Sequence, residues 1–133
     1  MAIQIVDLKK AVDRDVRRTD IWMTRRMHSW LLYFDEPGED GKMHCHNNDE
    51  TFYCVQGECT MSFLDGGKVV IKPGMLAVIP GDEFYHIAST GTEPMMLLGN
   101  RSGVRQQDKK INYDDKMRKR AEKAKKNREK VTA

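Results

Sequence analysis

Residues 38–57 read Gly38-Glu-Asp-Gly-Lys-Met-His44-Cys-His46-Asn-Asn-Asp-Glu50-Thr-Phe-Tyr-Cys-Val-Gln-Gly57. Side chains two positions apart in a strand point to the same face of a sheet, so His44 and His46 share a face. Glu50 follows His46 by four positions and can return to that face if the strand continues or turns tightly at Asn47-Asn48. Two imidazoles and a carboxylate on one face indicate a site for a divalent transition metal.

The stretch resembles the first signature of the cupin superfamily, which is Gly, five residues, His-x-His, three or four residues, Glu, six residues, Gly. Its fixed positions are filled here by Gly38, His44, His46, Glu50 and Gly57. The resemblance implies a β-barrel that holds one divalent metal ion through three histidines and one glutamate. Iron(II) is the favoured ion, and manganese, nickel, copper or zinc would also suit these ligands.

The second cupin signature, which supplies the last metal ligand, is matched imperfectly. Gly74 is followed after five residues by Pro80-Gly-Asp-Glu-Phe-Tyr-His86, with one extra residue between the proline and the histidine. A bulge easily absorbs one added residue, so we expect His86 to be the fourth ligand beside His44, His46 and Glu50. Without the extra residue the ligand position would fall on Tyr85, and that alternative stays open.

Short apolar runs separated by turn residues predict an all-β fold over residues 25–103. Examples are the run 27–34 before the turn-rich segment 35–41, and the turn Asp65-Gly-Gly67. This density of turns is typical of a sandwich or barrel, and the resemblance implies a single cupin-type double-stranded β-helix, or jelly-roll barrel. In residues 1–24 we expect an edge strand around Ile3 and Ile5 and a short helix from Leu8.

Residues 104–133 form a basic tail. They hold twelve Lys or Arg against five Asp or Glu, a net charge of +7, whereas the remaining 103 residues hold eleven against fifteen, a net charge of −4. Asn112 can cap a helix that begins at Tyr113. The tail could bind nucleic acid or another anionic partner. We favour a solvated helix, because no aromatic residue that could stack on bases follows Tyr113.

The apolar runs, the N-terminus and the cysteines limit the class of protein that we expect. No apolar run is long enough to cross a bilayer, and no signal peptide is visible at the N-terminus. Cys45, Cys54 and Cys59 have no metal-knuckle spacing, so we expect reduced thiols and a cytoplasmic protein. N-terminal segments of cupin-like barrels often pack on a partner subunit, which implies a homodimer.

The resemblance implies a metal-dependent enzyme, and we expect a dioxygenase that acts on a small carbonyl-containing or aromatic acid. An oxygen-independent isomerase or lyase is one alternative, and a non-catalytic module that senses a ligand or metal is another. Glu50 and Tyr85 are the expected catalytic residues. Further candidates for orienting the substrate are Tyr53, Arg25, Arg26 and Trp30, while His28 is expected to be structural.

Overall fold

Two antiparallel five-stranded sheets pack face to face in the computed structural model, which describes residues 2–132. The strands of the described chain are β1 (Arg18–Met23), β2 (Met27–Phe34), β3 (Gly38–His46), β4 (Glu50–Gln56), β5 (Cys59–Phe63), β6 (Lys68–Ile71), β7 (Leu76–Ile79), β8 (Tyr85–Ser89), β9 (Met95–Ser102) and β10 (Lys110–Asn112). The helices are α1 (Leu8–Ala11), a 3-10 turn at Arg105–Gln107, and α2 (Tyr113–Thr132).

The first sheet has the order β1-β2-β9-β4-β7 and the second the order β10-β3-β8-β5-β6. Neighbours in each sheet are often distant in sequence, as in a double-stranded β-helix. The expected all-β barrel is therefore confirmed. Alternation of buried and less buried side chains fixes which face of each strand looks inward; in β8, for example, Tyr85, Ile87 and Ser89 are buried and the two residues between them are only partly buried.

The main core lies between the sheets. Aromatic and aliphatic side chains from both layers fill it, together with two small thiols: Trp30, Leu32, Phe34, Phe52, Cys54, Cys59, Met61, Ile71, Ile79, Tyr85, Ile87, Met95 and Leu97. Cys45, Cys54 and Cys59 form no disulfide with one another and are fully buried. Burial raises the pKa of the Cys59 thiol to about 12. The cysteines therefore act as small apolar groups, as expected for reduced thiols.

The N-terminal segment covers the outer face of the first sheet. Residues 2–7 form no strand, and Ile3 and Ile5 are exposed, so the expected edge strand there is wrong. The expected short helix is present as α1. Behind it, Val12 packs with Leu31, Tyr33 and Met96 in a second apolar cluster. This covering explains why almost every residue of β2 is buried, on both faces of the strand.

The boundaries of the barrel are wider than residues 25–103. Strand β1 precedes that range, and β10 pairs with the end of β3, placing Ile111 opposite Cys45. Residues 110–112 therefore form a strand of the barrel and not part of a separate tail. A hairpin-like signal is missing from both segments, which is why their sequences did not indicate strands.

The basic tail becomes helical at Tyr113, as expected. The Tyr113 ring packs edge-on against Phe84, with 5.7 Å between centroids, and this contact anchors the start of α2. The side chains described between 122 and 130 are exposed. No helix within residues 2–132 combines the length and the apolar character needed to span a membrane.

Candidate functional site

Strand register brings polar residues from both sheets to one end of the barrel. In the first sheet Glu50 of β4 lies opposite Arg101 of β9. In the second sheet His44 of β3 lies opposite Tyr85 of β8. These four side chains and His46 are all buried, with at most 8% of any of them exposed. Because these polar side chains are buried away from water, their hydrogen-bonding atoms need partners within the protein.

Arg101 is the centre of the network. Its Nε and Nη2 both donate to Oε2 of Glu50, at 2.9 Å from Nε. Its Nη2 also donates to Nε2 of His46 at 3.1 Å, and its Nη1 donates to Oδ2 of Asp108 at 3.1 Å. The guanidinium carbon lies 4.6 Å from the centroid of the Trp30 ring. One buried cation is thus held by two carboxylates, an imidazole and an aromatic face.

Glu50 accepts hydrogen bonds at both carboxylate oxygens. The Tyr85 hydroxyl donates to Oε1, while Arg101 occupies Oε2. Burial raises the pKa of the Glu50 carboxyl, and the Arg101 guanidinium opposes that rise. Burial and the neighbouring carboxylate raise the pKa of the Tyr85 phenol, which keeps its proton. Because every partner donates, Glu50 is present as the carboxylate.

The tautomers of both histidines follow from their partners. Nδ1 of His44 lies 2.7 Å from the carbonyl oxygen of Lys42, which can only accept, so Nδ1 carries the proton and Nε2 keeps its lone pair. Nδ1 of His46 contacts the Asp108 carboxylate at 2.9 Å, and its Nε2 accepts from Arg101. Burial lowers the pKa of His44 and, with the repulsion of Arg101, lowers the pKa of His46 to about 4.

His86 is not brought to this site, which corrects the expectation that it joins the other three predicted ligands. Strand β8 pairs with β5 in unbroken register, so it contains no bulge that could turn His86 inward. The irregularity lies in β3, between Asp40 and His44, where Gly41 has a φ of 63°. His86 Nε2 lies 3.2 Å from the Gly41 carbonyl oxygen instead. Tyr85, the alternative that the sequence left open, takes the inward position.

The arrangement does not fit the predicted metal ion. No group of three or more His, Cys, Asp or Glu within residues 2–132 converges to hold one. In addition, the guanidinium of Arg101 already engages Glu50 and His46. A divalent ion at those ligands would be repelled by the buried positive charge of Arg101. The guanidinium would also lose its own hydrogen-bond partners.

Beside the network lies a cavity of about 390 Å³ that is open to one side. His44, His46, Tyr85 and Trp30 line it. The other polar lining is mostly cationic: Arg17, Arg18, Arg101, Arg105 and Lys110, against Asp40 and Asp108. This volume is within the range of pockets that bind small molecules.

Arg18 has an unused donor at this cavity. Its Nε donates to Asp20 at 3.1 Å, and its guanidinium lies 4.6 Å from the centroid of the Trp30 ring. Its Nη2 is buried and has no hydrogen-bond partner among the described residues. An unpaired buried donor costs about 1–3 kcal/mol, so this N–H group would gain by donating a hydrogen bond to a ligand oxygen.

Of the other candidates from the sequence, only Trp30 lines the cavity. Tyr53 is exposed elsewhere, and Arg25 and Arg26 are exposed around a separate surface depression. His28 stacks on Trp30 and contacts the Gly103 carbonyl oxygen.

Sequence reasoning missed Arg101, Asp108 and Arg18. A signal existed for Arg101, because it continues the inward alternation of Met95, Leu97 and Gly99 in β9. No sequence signal pointed to Asp108, because it lies in the connection between the 3-10 turn and β10.

His46 predicts a loss of stability on acidification. Its folded pKa of about 4 lies below the ordinary value of 6.5, so the unfolded chain binds the proton more tightly. Its contribution to stability is complete above about pH 6.5 and is lost as the pH falls toward 4. From about pH 7 to about pH 5 we expect the free energy of unfolding to fall by about 2 kcal/mol from this group. Urea denaturation at both pH values measures the change.

The matched comparison is His46→Asn against His86→Asn. In His46→Asn the free energy of unfolding should fall much less between the two pH values. His86 lies on the outer face of the same barrel, so His86→Asn should lose as much as the wild type. An undiminished loss in His46→Asn would show that other groups cause the pH dependence.

Comparison with known proteins places these observations in context. A family model described as a cupin domain matches residues 32–99. No curated protein matches the chain in sequence.

Several solved structures share its fold. An uncharacterised Klebsiella pneumoniae protein with a double-stranded β-helix domain matches with a TM-score of 0.72 and 15% identity, covering 84% of this chain and 99% of that one. KdgF from Halomonas matches with a TM-score of 0.59 and 22% identity, over 66% and 78% of the two chains. Salicylate 1,2-dioxygenase from Pseudoaminobacter salicylatoxidans matches with a TM-score of 0.63 and 18% identity, over 73% of this chain and 32% of that chain. At these identities the likeness shows the fold alone.

Proposed function

Since the chain belongs to the cupin domain family, whose barrels often enclose a small-molecule site, we propose that it binds a small organic acid in the cavity beside Arg101. The observation that carries the proposal is the buried Nη2 of Arg18, which has no partner within residues 2–132. A ligand carboxylate would supply the missing acceptor. Charge-assisted hydrogen bonds of this kind are the strong ones in proteins.

The charge of the lining supports an anionic ligand. Arg17, Arg105 and Lys110 line the same cavity as Arg18. Asp20 forms ion pairs with Arg18 and Arg105, at 3.1 and 2.8 Å, and so fixes two of these guanidinium groups in place. Prepositioned cations lower the cost of ordering the site when an anion binds.

The histidines add a second requirement on the ligand. His44 keeps its Nε2 lone pair because Nδ1 donates to the Lys42 carbonyl oxygen, and its lowered pKa keeps the ring neutral near pH 7. A neutral imidazole nitrogen accepts a hydrogen bond from a hydroxyl group. Trp30 offers an apolar face in the same cavity. The best ligand is therefore a small acid that carries a hydroxyl group, and an aromatic ring would suit the Trp30 face.

The iron-dependent dioxygenase expected from the sequence gains less support. Three histidines and a glutamate would have to meet around iron, whereas His86 faces elsewhere and Arg101 engages Glu50 and His46. Acid binding needs neither rearrangement, and it agrees with the expected class of substrate. Oxygen chemistry, isomerisation and the identity of a metal all stay predictions.

The homodimer also stays a prediction. Ile3, Ile5 and Trp22 are exposed apolar residues on or beside the N-terminal segment. Association would remove them from water, which is the general driving force for such contacts.

The test uses salicylate as the probe, with salicylamide as its neutral counterpart. Salicylate combines a carboxylate, a hydroxyl group and a ring, and should shift the ¹H–¹⁵N signals of the Trp30 indole and the His44 imidazole. Arg18→Met should weaken salicylate binding by roughly 10- to 100-fold, because one charge-assisted bond is lost. Salicylamide should bind the wild type about as weakly as salicylate binds the variant.

The control is Arg25→Met, which removes a cation of the same type outside the cavity and should leave the affinity unchanged. Equal weakening by both variants would reduce the effect to general electrostatics. If salicylate, benzoate, lactate and succinate all failed to shift the Trp30 and His44 signals, the proposal would be refuted.

A further inference from the structure

Arg101 lies where the sequence-predicted metal ligands should meet. Its guanidinium contacts Glu50 and His46 directly, at 2.9 Å from Nε to Oε2 and 3.1 Å from Nη2 to Nε2. Only 6% of its side chain is exposed. The lone pairs that a metal ion would take are therefore already occupied by N–H donors of this side chain.

The charges around Arg101 also match those of a metal centre. The carboxylates of Glu50 and Asp108 both contact the guanidinium, and His46 lies between them as a neutral imidazole. Two negative charges and one positive charge leave the cluster with an excess of one negative charge. A divalent cation in place of the guanidinium would balance the two carboxylates fully.

Neighbouring side chains hold this cluster in place around a cation. Trp30 presents its ring to Arg101 at 4.6 Å, and the ring fits only because Gly99 lies opposite it in the neighbouring strand. Tyr85 holds the other Glu50 oxygen, which fixes the carboxylate. The surrounding side chains therefore stabilise a buried positive charge at this position.

We propose that Arg101 is the resident cation of this barrel, that its guanidinium replaces the metal ion, and that its removal frees His46 and Glu50 to hold a divalent ion. The guanidinium excludes divalent ions in two ways. It occupies their ligands, and it repels them by a like charge at short range. The inference does not depend on acid binding, because it concerns only the buried network.

The experiment is a titration with cobalt(II), followed by the visible absorption that the ion gains when imidazole and carboxylate ligands replace water. The wild type should show no saturable binding that depends on His46. Arg101→Met should bind one cobalt(II) ion at least on the order of 100-fold more tightly than the wild type, because the occupying and repelling charge is gone. Adding His46→Ala to Arg101→Met should abolish the gain.

Arg101→Lys serves as the matched control. It keeps a positive charge at the position and should remain unable to bind cobalt(II). Tight binding of cobalt(II) by the wild type at His46 and Glu50, equal to that of Arg101→Met, would overturn the proposal. So would equal binding by the Met and Lys variants.

A second readout covers the case in which Arg101→Met does not fold alone. Refolding with and without zinc(II) should then give a folded barrel only in the presence of the ion, since the metal would restore the missing charge. Failure to refold with zinc(II), in both Arg101→Met and Arg101→Gln, would contradict the proposal. Failure of the wild type to bind salicylate, benzoate, lactate and succinate would refute the proposed function and leave this result untouched.

Discussion

Glu50→Ala is expected to destabilise the barrel by about 3 kcal/mol, because it removes the main partner of a buried guanidinium. Breaking a buried ion pair on one side typically costs about 3–5 kcal/mol. The lower end applies here, since Asp108 still contacts Arg101. The Tyr85 hydroxyl also loses its acceptor. The midpoint of urea denaturation measures the effect.

A double-mutant cycle separates the ion pair from simple loss of packing. Arg101→Met alone leaves Glu50 as an unpaired buried carboxylate, whereas Glu50→Ala/Arg101→Met removes both charges together. The double variant should therefore be clearly less destabilised than the sum of the two single variants. Glu83→Ala, which truncates an exposed glutamate, should change stability by less than about 0.5 kcal/mol. Strict additivity in the cycle would mean that the two side chains do not stabilise each other.

Gly99→Ala is expected to cost about 3 kcal/mol, as large as the loss of Glu50, although it adds a single methyl group. A Cβ at position 99 would lie 2.4 Å from Cε2 and 2.5 Å from Cζ2 of Trp30. The Trp30 ring cannot easily move, because it is 2% exposed and contacts Phe52 edge-on. Overpacking of a filled core typically costs 1–3 kcal/mol or somewhat more. Urea denaturation gives the free energy, and near-ultraviolet circular dichroism reports the displaced indole.

Gly38→Ala is the matched control in another strand. A Cβ there would meet no atom within 4 Å, and Gly38 has no positive φ. This variant should be neutral within about 0.5 kcal/mol. Because Trp30 also contacts Arg101, Gly99→Ala should disturb the polar site as well, seen as weaker salicylate binding. Equal stability of the two variants would show that the ring at position 30 moves freely.

Much of the fold could be predicted from the sequence because its signals are local. The strand Met27–Phe34 has the expected bounds, since an apolar run and the turn residues after it mark its ends. The inward position of Cys54 follows from alternation with Phe52 in the same strand. Strands β1 and β10 were missed because each depends on pairing with a distant neighbour, β1 with β2 and β10 with β3.

The candidate site was predictable only in part. The shared face of His44 and His46 was predictable, because strand periodicity fixes the face of each side chain, whereas Glu50 approaches them from the other sheet. The choice between His86 and Tyr85 was not, since it depends on whether β8 contains a bulge. It pairs with β5 in unbroken register, and Tyr85 points inward.

The sequence by itself determined the cupin barrel, the turns that separate its strands, and the shared face of His44 and His46, because these depend on short-range periodicity. Only the tertiary structure decided that Arg101 and Asp108 meet those residues. They are 55 and 62 positions from His46, and pairing between distant strands sets their approach. The identity of the cation at the site therefore depends on long-range contacts. These contacts place a guanidinium where the local motif predicts a metal ion.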